Sequence, residues 1–124
     1  RKMRKSILVL LSIMLLIAIV GCTSSNVKKV RDGHLNRFGD EVTIGEVFDV
    51  VSGNSTSWEE DELDKDYVLV DAKWDGAGGK VLVQFLVKKS EDDFSVNATT
   101  LNGQPFEVWD ILNEIKSEYN KRVN

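Results

Sequence analysis

The chain has 124 residues, with 16 lysines and arginines against 20 aspartates and glutamates, a net charge of −4, one cysteine and one histidine. That length suits one compact domain and is short for two. A lone cysteine excludes an internal disulfide, and a lone histidine has no second imidazole to share a metal or a nucleophilic relay.

The chain opens on Arg1, Lys2, Arg4 and Lys5, and residues 6–21 then run without a charge to Cys22. A basic start, an apolar run and a small residue before a cut site are the grammar of a secretory signal. The run falls short of the roughly 20 residues that span a bilayer core, which disfavours the alternative of a permanent transmembrane anchor. Ile19-Val20-Gly21-Cys22 resembles the lipobox of bacterial lipoproteins. The resemblance implies cleavage before Cys22, a diacylglycerol on its thiol and a fatty acyl chain on the new amino terminus. No other cofactor is expected. It also implies a lipid-anchored domain outside the cytoplasm, on the cell membrane or the outer membrane. Each buried methylene contributes about 0.8 kcal/mol, so two or three chains anchor durably where one does not.

Residues 1–21 thus read as signal, 22–30 as lipidated cysteine and short tether, and 31–124 as a single small α+β domain. The signal holds four of the 16 basic residues and none of the 20 acidic ones, so the mature chain carries −8. Such a surface repels phosphate backbones and anionic headgroups. No nucleic-acid partner is expected, and membrane contact falls to the lipid.

Val27 to Val30 begin the ordered part as a short extended piece or a turn of helix, and the chain turns at Arg31-Asp32-Gly33. Leu35 and Phe38 are expected to pin the next loop onto the body. Thr43-Ile44-Gly45-Glu46 has the spacing of a capping box, flanked by Val42 and Val47 as a hydrophobic staple. Ile44, Val47, Phe48 and Val51 recur at helical spacing, and Gly53 suits a left-handed cap.

A short strand is expected around Trp58, and the acidic stretch 59–66 reads as an exposed turn. Residues 67–74 and 80–88 read as strands joined in an antiparallel hairpin by the glycine-rich 75–79. Residues 93–101 give a further strand, with Phe94, Val96 and Ala98 alternating against Ser95, Asn97 and Thr99. Pro105 is placed in the first turn of a last helix, where its missing N–H costs nothing. Val108, Ile111, Leu112, Ile115 and Tyr119 share one face of that helix. Lys116, Lys121 and Arg122 lie toward its carboxyl end, which favours positive charge.

The expected fold is α+β: an antiparallel sheet of about four strands with an N-terminal and a C-terminal helix packed on one face. Alternation assigns to that face Trp58, Val68, Val70, Ala72, Trp74, Val81, Val83, Phe85, Val87, Phe94 and Val96. The mature domain also resembles a group of small exported bacterial lipoproteins of uncharacterised function. The resemblance rests on Thr43-Ile44-Gly45-Glu46-Val47-Phe48-Asp49, the tryptophan before the sheet and the strand from Val81. It implies a fold and no reaction.

Reactive groups are sparse. His34 is expected as a solvated loop side chain, with a pH-sensitive contact as the alternative. Asp64 and Asp66 lack the alternating oxygens, glycine turn and distal glutamate of a calcium loop, so no metal site is expected. Gly76, Gly78 and Gly79 join two strands and are not a phosphate loop. Tyr67, Leu69, Leu82 and Leu86 fall on the strand face opposite the core, a partly apolar strip interrupted by Asp71, Lys73 and Gln84. These four are the candidate partner-binding residues. Phe106 and Trp109 lie off the helix stripe and are expected to be buried against the end of the sheet. The expected function is that of a membrane-tethered, non-enzymatic module that binds an envelope protein. The alternative is a carrier of a small hydrophobic ligand, which would need a cavity between helices and sheet.

Overall fold

The computed structural model describes residues 24–124. The signal, the lipobox and Cys22 lie outside the described residues. In chain order the elements are α1 (Ser25–Arg31), α2 (Ile44–Ser52), β1 (Ser57–Glu62), β2 (Tyr67–Gly76), β3 (Gly79–Lys88), β4 (Phe94–Leu101), β5 (Gln104–Phe106) and α3 (Val108–Val123). The strands form one antiparallel sheet in the order β1-β2-β3-β4-β5. The three helices of the described residues pack on one face of it, since their buried residues and those of the central strands form one core cluster. The α+β architecture expected from the sequence is therefore the observed one, with five strands in place of four.

The first described element is a short helix. Ser24 caps α1 by accepting from the Val27 amide at 3.0 Å, and Val27 and Val30 are buried in the core. Lys29 Nζ donates to the carbonyls of Lys88 and Glu91, which ties α1 to the far end of β3. Residues 25–31 are thus helix packed on the sheet, and of the two readings of Val27 to Val30 the turn of helix is the observed one. A helix of only 7 residues has too few periods to be legible without the sheet it packs on.

The α2 boundary is encoded locally. Thr43 Oγ1 accepts from the Glu46 amide at 3.1 Å and donates to the Glu46 carboxylate at 3.2 Å. The glutamate thus engages the threonine hydroxyl where a standard capping box has it accept from the N-cap amide. Gly53 closes the helix in the left-handed conformation, at φ +66. The helix places Phe48 at the centre of the core, where no part of it reaches solvent. Its ring lies 4.9 Å from Trp74, 5.8 Å from Trp58, 6.2 Å from Phe38 and 6.2 Å from Phe85, centroid to centroid.

Alternation along β2 and β3 assigns their faces correctly. Val68, Val70, Ala72, Trp74, Val83, Phe85 and Val87 are buried, and Trp58, Val81, Phe94 and Val96 pack against them partly buried. On β1 the acidic residues 59–62 form strand and not turn, paired with residues 68–71 of β2. The turn is confined to residues 63–66, where Asp64 Oδ1 accepts from the amides of Asp66 and Tyr67 at 2.8 and 2.9 Å.

On β4 simple alternation fails. Gln84 pairs with Ala98 while Phe85 pairs with Val96, so Asn97 is an extra residue and the strand carries a bulge. One inserted residue exchanges the faces of everything beyond it. Thr99 is therefore buried, 2% exposed, and Ala98 turns away from the core. The Thr99 hydroxyl is satisfied by donating to the Phe106 carbonyl at 2.9 Å.

The last correction concerns Pro105, which lies in β5 opposite Thr100 and not in α3. Asn102 and Gly103, at φ +54 and +81, form the two-residue turn between β4 and β5. Positive φ at both positions is the hairpin geometry that Asn-Gly favours. Proline is compatible with β5 because that strand is the sheet edge. The helix α3 then starts at Val108, after an N-cap residue, Glu107, whose side chain makes no capping bond, and buries Ile111, Leu112 and Ile115.

Candidate functional site

Among the described residues every helix lies on one side and the other face of the sheet is left uncovered, with a pattern set by strand pairing. Tyr67 lies opposite Lys88, Leu69 opposite Leu86, Asp71 opposite Gln84 and Lys73 opposite Leu82. Tyr67, Leu69 and Leu86 are therefore neighbours, while Leu82 is set apart from them by the Asp71–Gln84 pair. All four candidate residues are half-buried by their neighbours. Around the strip, Lys73 pairs with Glu59 at 3.0 Å and Lys88 with Glu91 at 3.3 Å. Those carboxylates hold both ammonium groups above the usual lysine range.

Asp71 occupies the middle of this face and is only 9% exposed. One of its carboxylate oxygens, Oδ1, is buried without a hydrogen-bond partner among the described residues. Loss of hydration pushes the carboxyl above its ordinary value of 3.8. The Gln84 amide and the Lys73 ammonium act against that shift, and Asp61 and Glu59 on β1 add to it. Asn97, the extra residue of the bulge, donates to Gln84 Oε1 at 2.7 Å and so braces the polar group beside Asp71.

The folded state holds the Asp71 proton more tightly than the unfolded chain does. Its contribution to stability is complete below pH 3.8 and is lost as pH rises through the higher folded value. Replacing Asp71 with asparagine removes the buried charge. The variant is expected to gain about 1 kcal/mol at neutral pH. Its stability should also lose the downward slope above pH 3.8 that Asp71 imposes, as read from urea unfolding at a series of pH values.

On the opposite side of the sheet, between α3 and the end of the β2–β3 hairpin, lies a half-open groove of about 580 Å³. Its floor is apolar, formed by Trp74, Val81, Leu101, Ile111 and Ile115, and Asp110, Glu114 and Glu118 stand along its α3 wall. Phe106 lines the mouth and is 48% exposed. Trp109 is 52% exposed, and the Arg37 guanidinium lies over its ring at 4.4 Å. The expected burial of these two aromatics is thus not observed. With Pro105 in β5, Phe106 is carried out on the edge strand, and Trp109 falls on the outer side of the first turn of α3.

The remaining polar features have local explanations. His34 is exposed, but its Nδ1 lies 2.8 Å from the Val42 carbonyl, where it helps close the loop before α2. Among the described residues no three histidine, cysteine, aspartate or glutamate side chains are grouped so as to hold a metal. No helix among them is long and apolar enough to cross a membrane.

No protein-family model matches the chain, and neither the search of curated proteins nor that of solved structures finds a match.

Proposed function

We propose that the protein is a lipidated binding module of the cell envelope, non-enzymatic, tethered through acyl chains on Cys22. Its partner is an envelope protein that covers the open sheet face. The observation that carries this reading is Asp71, a buried carboxylate at the centre of an apolar strip with one oxygen unpaired among the described residues. A buried, unsatisfied polar atom costs stability and calls for a compensating role. A lysine, arginine or amide donor presented by a partner, with apolar side chains seated on Leu69, Leu82 and Leu86, supplies the missing bond and excludes water around it. The lipobox supports the tether, and a mature charge of −8 leaves membrane contact to the lipid.

A photo-crosslinking residue at position 82 is expected to trap one reproducible protein in intact cells. The same residue at the exposed position 116 on α3 should not. Replacing Leu69 and Leu86 together with serine should weaken that capture by about tenfold, because each leucine then forfeits the burial of apolar surface against the partner, about 1 kcal/mol for a half-buried side chain. The double variant should lose little thermal stability, because neither side chain belongs to the core cluster. A large drop in melting temperature would mean that this face is structural, and equal trapping at both positions would remove the docking face.

A further inference from the structure

We infer that the groove between α3 and the β2–β3 hairpin is a second binding site, for a small amphiphile with an apolar body and one positively charged group. The inference is independent of the docking face, which lies on the other side of the sheet.

Size is the first argument. About 580 Å³ falls among the volumes of small-molecule pockets, which run from roughly 300 to 1,000 Å³. It is too small for a folded partner and suits a single short chain. The second argument is the lining: Trp74, Val81, Leu101, Ile111 and Ile115 offer a continuous apolar floor, and the exposed ring of Phe106 extends it to the mouth. An aromatic of that size left half in solvent beside an apolar floor is apolar surface available for covering.

Charge decides the class of ligand. Asp110, Glu114 and Glu118 are spaced four apart along α3, so they stack on one side of the helix and all line the groove. Like charges at that spacing oppose helix formation, and only Glu118 is offset, by Arg122 Nε at 2.9 Å. Arg122 also lines the groove, but its guanidinium is occupied by Glu118 and by the Val50 carbonyl, to which it donates at 3.3 Å, so the two remaining carboxylates leave the wall net negative. Asp110 and Glu114 form no ion pair among the described residues. An ammonium group entering beside them, with its alkyl chain along the floor, meets both the negative wall and the apolar surface. An anionic amphiphile of equal length meets the same floor and is repelled by the wall.

The test uses residues 23–124, which retain the whole core cluster, and titrates them with decylammonium, decanol and decanoate below their aggregation concentrations. Binding is read by calorimetry and by backbone NMR shifts. Decylammonium is expected to bind at least tenfold more tightly than decanoate, with shifts on α3 and the hairpin turn. The variant Asp110→Asn/Glu114→Gln should lose about tenfold for decylammonium and nothing for decanol. Ala77→Trp, at the exposed turn lining the groove, should block all three without unfolding the domain. Equal binding of the ammonium and the carboxylate, an unchanged affinity in the double variant, shifts confined to the open sheet face, or no binding at millimolar concentration would each overturn the inference. None of these outcomes bears on the protein partner of the sheet face.

Discussion

Replacing Phe48 with alanine is expected to cost about 3–5 kcal/mol, the range for truncating a fully buried aromatic that leaves a cavity. Small domains have only about 5–15 kcal/mol in total, so the variant should lie near the edge of folding. The size of the effect follows from position. Phe48 is the one ring in contact range of Phe38, Trp58, Trp74 and Phe85 together, and it joins α2 to three strands and to the loop before the helix. The surrounding rings belong to different elements and cannot collapse into the space without moving strands. A urea midpoint reduced at unchanged slope, with a melting temperature down by more than about 10 °C, would agree. The control is Phe106→Ala, a large apolar residue at 48% exposure, which should change stability by no more than about 0.5 kcal/mol. A loss below about 1 kcal/mol for Phe48→Ala would remove this residue from the centre of the core.

The second large effect concerns location and follows from the proposed tether. Several buried acyl chains, at about 0.8 kcal/mol per methylene, hold a protein on a membrane over its lifetime. Cys22→Ser is expected to abolish incorporation of labelled palmitate. Since the serine variant keeps its apolar leader, the partition of the domain is better measured on residues 23–124 exported behind an unrelated cleavable signal. That form should move from wholly membrane-bound to wholly soluble and remain folded, because α1 and everything after it lie beyond the cut. Label in the serine variant would overturn the lipidation. Membrane binding by residues 23–124 would show that the folded surface, not the lipid, makes the contact.

The docking strip is readable in the sequence as a set of residues but not as a site. Period-two alternation puts Tyr67, Leu69, Leu82 and Leu86 on one face, and the structure keeps them there. What alternation cannot supply is the register between β2 and β3, which makes Leu69 and Leu86 direct partners and sets Asp71 against Gln84. In the sequence Asp71 reads only as an interruption of the strip. Its burial comes from neighbours on three strands, so no signal in its own segment distinguishes it from a solvated aspartate. The groove is less legible still. Its lining comes from α2, both strands of the hairpin, β4, β5 and α3.

By itself the sequence determined whatever depends on short-range chemistry. The Thr43 cap and Gly53 stop of α2, the inward set of β2 and β3, the stripe of Ile111, Leu112 and Ile115 on α3 and the single-core α+β architecture all follow from periodicity and capping within one element. Tertiary structure decided what depends on a partner distant in the chain. Residues 25–30 are helix because Val27 and Val30 have a sheet to cover, a gain in burial that a helix of 7 residues cannot obtain alone. Residues 59–62 are strand despite four consecutive acids, because β2 offers backbone partners and the outer edge keeps the charges in water. Asn97 is a bulge because β3 pairs differently on either side of it, and that one residue turns Thr99 inward. Pro105 joins the sheet because Asn102 and Gly103 fold β5 back on β4, which exposes Phe106 and opens the groove. In each case the local preference is worth less than about 1 kcal/mol per residue, and burial or pairing across the sheet outweighs it.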